Sequence, residues 1–195
     1  MKWGRFAILA LALVVSACGE RGGGSLESTS NEEKSAEAAS GPGLETNGTG
    51  TFTYEVWFAG SDGFLSVSKR QTNLEPEAPK VAKVALASLL AGPSEAEAAA
   101  GVFTAVPAGT ELLHLDIEDG IAMVDLSSEY EQGSGSWGES LRLAQVVYTL
   151  TQFETVEAVD FRLEGEPVKL FGGHGILLDR PQARRDFRDF LPAQS

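Results

Sequence analysis

From residue 51 onward, apolar and polar positions first alternate with a period of two and later recur with a period near that of a helix. Phe52, Tyr54 and Val56 alternate with Thr51, Thr53 and Glu55, which predicts a strand over Thr51–Phe58. Ser61-Asp62-Gly63 is a turn signal, and Phe64–Lys69 returns as a second short strand. Val81, Val84, Ala85, Leu89 and Leu90 then mark one stripe of a helix. Pro79 opens it, where a proline's missing N–H is no loss, and Gly92-Pro93 ends it. Leu112–Ile117 and Ile121–Leu126 read as a hairpin, because Asp119-Gly120 supplies the positive φ that a tight turn needs. Ser136-Trp137-Gly138-Glu139 has the spacing of a capping box. The helix behind it puts Leu141, Ala144, Val147, Tyr148 and Thr151 on one face, with Arg142 and Gln145 off that face. Val156–Leu163 is a strand, Gly165 a turn, and Leu170–Leu178 a glycine-broken extended segment before a short charged tail. The order β(β)αββαβ predicts an α+β fold: a single domain, with two helices packed on one face of a mixed β-sheet.

The first fifty residues follow another logic. Lys2 and Arg5 precede ten uncharged apolar residues, Phe6–Val15, and then Ser16, Ala17 and Cys18. A basic start, a short apolar run and small residues make a secretory signal peptide over residues 1–17. Ten helical residues reach about 15 Å, half of a hydrocarbon core of roughly 30 Å, so this segment does not span a membrane. Val15-Ser16-Ala17-Cys18 resembles the bacterial lipobox. That resemblance implies a diacylglycerol on the Cys18 thiol and an acyl chain, such as palmitate, on its new amino group. Two or more buried chains hold a protein on a bilayer stably, at about 0.8 kcal/mol per CH₂. Residues 18–50 carry Gly22-Gly23-Gly24, Gly41-Pro42-Gly43 and only two large apolar residues, Leu26 and Leu44. They read as an acidic, glycine-rich tether, leaving residues 51–190 for the domain.

Charge and chemistry narrow the function. Formal net charge is −13: the signal peptide contributes +2, the tether −4 and the segment after it −11. Such an acidic chain is a poor ligand for nucleic acid, whose phosphates require Lys and Arg. One cysteine excludes an intramolecular disulfide framework and multi-cysteine metal sites. Gly133-Ser134-Gly135-Ser136-Trp137-Gly138 matches G-x-G-x-x-G, but Ser127–Gln132 separate it from the preceding strand, which a dinucleotide fingerprint does not allow. Asp116, Glu118, Asp119 and Asp125 suggest calcium, yet the third ligand position of an EF-hand falls on Gly120. His174, Asp179 and a serine could be drawn as a triad, but no G-x-S-x-G elbow presents a nucleophile. Asp125 and Glu129 are the carboxylates that a wall hydrolase would use. Arg180, Arg184, Arg185 and Arg188 form the one basic cluster, read either as charge balance for Asp179, Asp186 and Asp189 or as a docking patch for an acidic partner.

Three stretches together resemble the GerMN domain, the sporulation and spore-germination domain of bacterial envelope proteins. They are Leu89-Leu90-Ala91-Gly92-Pro93; Val106-Pro107-Ala108-Gly109-Thr110 with Val124-Asp125-Leu126-Ser127; and Leu143-Ala144-Gln145-Val146-Val147-Tyr148-Thr149-Leu150-Thr151-Gln152-Phe153. The resemblance implies a non-enzymatic lipoprotein on the extracytoplasmic face of the cell membrane, acting through contacts with an envelope protein. It supplies no catalytic residues, no metal and no cofactor beyond the lipid on Cys18. Peptidoglycan is the competing ligand. The chain holds one copy of the domain, whereas the sporulation members of the family carry two in tandem.

Overall fold

The computed structural model describes residues 45–47, 50–74, 77–133 and 135–193. The signal peptide, Cys18 and residues 18–44 lie outside the described residues.

Strands β1 (Glu45–Asn47), β2 (Thr51–Ala59) and β3 (Leu65–Thr72) form one antiparallel sheet in that order. Phe52, Tyr54, Val56 and Phe58 are buried on β2, as strict alternation requires. β1 falls in the stretch assigned to the tether: Glu45 pairs with Thr53 and Asn47 with Thr51, so pairing begins before residue 51. Helix α1 (Ala78–Ala91) follows, and it stops at Gly92, whose φ of +82° favours glycine. A short helix α2 (Glu95–Ala99) carries a reciprocal capping box between Ser94 and Glu97.

The second sheet has the order β4-β5-β6-β7, from Leu112–Glu118, Ile121–Leu126, Ala158–Leu163 and Glu166–Pro167. β4 and β5 are the expected hairpin, with Asp119 at φ +49° and Gly120 at φ +80°. β5 and β6 are parallel, and helix α3 (Ser136–Leu150) lies in the crossover between them. β8 (Leu170–Phe171) and β9 (Ile176–Leu177) make a separate small hairpin. The α+β class holds, but the strands divide among three sheets instead of joining one. β2 and β3 never pair with β4–β6, and each long helix touches both larger sheets.

The reason lies in α3, which is buried on every side from Leu141 to Leu150, including Arg142, Gln145 and Thr149. Its polar side chains pair with backbone at two places. The Gln152 amide, just past the helix, accepts from Glu55 N–H at 2.7 Å and donates to Glu55 O at 2.6 Å. Thr149 Oγ1 accepts from Trp57 N–H at 3.0 Å. With β1 opposite residues 51–53 and an isolated bridge joining Ala59 to Phe103, the edge of β2 is closed along its length. The second place is Ala105: its N–H donates to Gln145 Oε1 at 2.8 Å, and its carbonyl accepts from Arg142 Nε at 2.9 Å. A strand to one side and a loop to the other are thus docked on the helix by paired donors and acceptors.

Candidate functional site

The Arg142 side chain is among the most enclosed in the molecule, at 1% exposure. Its guanidinium donates to the carbonyls of Ala105, Tyr130, Gln132 and Gly133, and it lies over the rings of Tyr130 and Phe171. Burial lowers its pKa, but a guanidinium remains charged. The ring of carbonyl oxygens replaces the water lost on burial and fixes the 3₁₀ turn Ser128–Glu131.

One turn earlier, Glu139 does not cap its helix. The N-cap residue is Gly135, without a side-chain cap, so the expected capping box is absent. Glu139 is buried and turned toward the β8–β9 turn, accepting from Gly173 N–H at 3.1 Å and meeting His174 Nδ1 at 3.2 Å. Burial pushes its carboxyl up, and the His174 and Gly173 hydrogen bonds outweigh that, leaving it below the ordinary range. His174 therefore faces Glu139 as a turn residue.

The arginine cluster divides. Arg180 is taken by Asp186 through two bonds of 2.8 and 2.7 Å. The 3₁₀ segment Arg184–Phe190 runs antiparallel along α3: Arg184 meets Tyr148 and Thr151 at one end, and Phe190 meets the half-exposed Trp137 at the other. Arg184 Nε donates to Thr151 Oγ1 at 2.8 Å and Nη2 to Tyr148 O at 3.1 Å. Its guanidinium stacks over Tyr148 at 4.8 Å and Trp57 at 5.4 Å. Arg185 and Arg188 are exposed. The cluster is thus one surface pair, one packed anchor and two outward cations.

Asp186 reports the folded tail. The Arg180 guanidinium, aided by Ala183 N–H, lowers its pKa from 3.8 to about 2. A lowered carboxyl pKa contributes stability above its ordinary value and loses it as pH falls toward the folded value. Urea unfolding of wild type and Asp186→Asn should therefore differ at pH 5, with the gap closing toward pH 2. A gap as large at pH 2 as at pH 5 would assign the effect to shape and not to charge.

The remaining sequence candidates do not converge. Asp116, Glu118, Asp119 and Asp160 border a shallow acidic groove beside Ile121 and Met123. Among the described residues no three His, Cys, Asp or Glu come together as metal ligands. Asp125 accepts from Gly165 N–H at 3.0 Å, and the Ser127 hydroxyl holds Glu129 below the ordinary carboxylate range, opposite to a general acid. Sequence reasoning missed the roles of Arg142, Gln145, Thr149 and Gln152; the signal available was polar residues at helical spacing inside an otherwise apolar helix.

The α+β fold described above is one that known proteins share. The chain belongs to the Germane family, described as sporulation and spore germination, which matches residues 55–169. It is similar to the spore germination protein GerM of Bacillus subtilis (strain 168), 26% identical over 164 residues, covering 84% of this chain and 44% of that protein. It thus spans less than half the length of that relative. The solved tandem GerMN domains of Bacillus subtilis GerM share its fold, with TM-score 0.59 and 24% identity over 70% of this chain and 47% of that one. The first GerMN domain alone gives TM-score 0.56 and 24% identity, covering 69% of this chain and 98% of its own.

Proposed function

We propose that this chain is a lipid-anchored interaction module on the extracytoplasmic face of a bacterial membrane, working non-enzymatically through a protein partner in envelope assembly of the sporulation or germination type. What carries the reading is the use made of α3. The longest of the stretches that resemble the family lies there, and the polar residues Arg142, Gln145, Thr149 and Gln152 are committed to backbone contacts that hold sheets and loops together. Their chemistry builds a rigid scaffold and leaves the surfaces around it to do the recognising. The lipobox ending at Cys18 supplies the location, and no described helix is long and apolar enough to cross a membrane. The germination role named for the Bacillus subtilis relative enters as part of this proposal.

Cys18→Ala should move the protein from the membrane to the soluble fraction, or leave the uncleaved precursor. Unchanged retention of a processed protein would refute the anchor. Crosslinking in intact cells should yield a defined protein adduct. Co-sedimentation with purified sacculi in the absence of any protein adduct would assign the domain to peptidoglycan instead.

A further inference from the structure

Tyr148, Arg184, Arg185, Arg188, Leu191 and Pro192 line a depression of about 520 Å³. Three guanidinium groups meet there in a chain of net charge −13. Arg70 and Arg180 each meet a carboxylate, Glu97 and Asp186; among the described residues no carboxylate comes within 4 Å of Arg184, Arg185 or Arg188, although Glu55 acts on Arg184 and Asp186 on Arg185 from farther off. The cations are arranged as a site. Arg184 is immobilised by Thr151, Tyr148 O and two aromatic faces, while its Nη1 group makes no hydrogen bond among the described residues. Arg185 and Arg188 stand three residues apart on the outward side of the same segment. The Tyr148 hydroxyl, which donates to Arg184 O at 3.2 Å, closes one wall.

A fixed guanidinium flanked by two exposed ones fits oxyanions, which arginine grips through paired N–H groups. The shape and the surroundings decide which oxyanion. The depression is lined in part by the apolar Leu191 and Pro192, so it offers a side-chain-bearing segment apolar contact that a plane of headgroups does not use. The net negative charge of the chain disfavours a broad anionic bilayer, whereas a short acidic segment meets chiefly the local field of these three arginines. We propose that this depression is the docking site for a carboxylate-rich segment of the partner protein. The assignment rests on the reading of the domain as an interaction module.

The test uses the full chain and fluorescein-labelled octaglutamate, with octaglutamine as control, followed by fluorescence anisotropy. Octaglutamate should bind and octaglutamine should not. Binding should weaken with salt and fall at least roughly tenfold in R185Q/R188Q, measured well below the variant's own unfolding midpoint. Equal binding by that variant overturns the site. Arginine-dependent binding of phosphatidylglycerol vesicles without octaglutamate binding overturns the peptide assignment. Octaglutamate binding that appears only after Glu27, Glu32, Glu33 and Glu37 are changed to Gln would give the depression to the chain's own acidic stretch, and also overturns it. A photo-crosslinking residue at position 188, compared with one at the half-exposed Phe103, separates the two levels. A protein adduct at 103 but none at 188 overturns this site alone; adducts at neither position remove the interaction module as well.

Discussion

Arg142→Leu is expected to cost the domain roughly 4 kcal/mol, from several buried carbonyls each losing about 1–3 kcal/mol of charge-assisted bonding. The leucine fills part of the space and satisfies none of the oxygens of Ala105, Tyr130, Gln132 and Gly133. In a domain of this size that corresponds to a fall in Tm of roughly 10–15 °C. Arg142→Lys should recover little, because a point-like ammonium cannot span carbonyls on two separate loops. Thermal unfolding by circular dichroism measures both. Midpoints within a few degrees of wild type would show that water replaces the guanidinium at no great loss. Protease cleavage within residues 128–133 should rise in parallel, since Arg142 holds that turn.

Gly172→Ala should be the most damaging alanine substitution among the described glycines. Gly172 sits at φ +71°, where an L side chain costs about 1–2 kcal/mol. A Cβ there would stand 2.5 Å from Glu139 Oε2 and 2.7 Å from Oε1. The buried carboxylate would have to leave Gly173 N–H and His174, so the midpoint should drop by roughly 5–10 °C. A double-mutant cycle separates the causes. In the Glu139→Ala background the collision is gone, and Gly172→Ala should cost only the backbone strain. Additive losses would show that the carboxylate is not what the glycine accommodates.

Local patterning foretold the parts of the fold that depend on neighbours in sequence. The Asp119-Gly120 hairpin, the alternation along β2 and the glycine stop of α1 each follow from a few adjacent residues. The division into separate sheets did not follow, because it depends on contacts between residues nearly a hundred positions apart. The helical period sets Arg142 and Gln145 off the apolar face of α3, where polar residues ordinarily meet water. Tertiary partners overrode the rule: a helix surrounded on all sides keeps polar residues wherever backbone donors and acceptors await them. Ser136 and Glu139 have capping-box spacing, yet Glu139 is drawn away by a glycine turn more than thirty residues downstream. For the candidate site, the sequence sets four arginines within nine residues, and only geometry distinguishes Arg180, held by Asp186, from the exposed Arg188.

The stitching of β2 to α3 also sets an order of events. A chain made from its amino end delivers β2 first, with the N–H groups of Glu55 and Trp57 unpaired on one edge. Their partners Gln152 and Thr149 arrive 97 and 92 residues later. Until then the strand is an open template for any neighbouring chain. Contacts of such sequence separation close slowly, so the interval between emergence and completion is when this domain is most vulnerable to aggregation. A chaperone that shields the first hundred residues would protect it then, and a truncation before Gln152 would make that exposed state permanent.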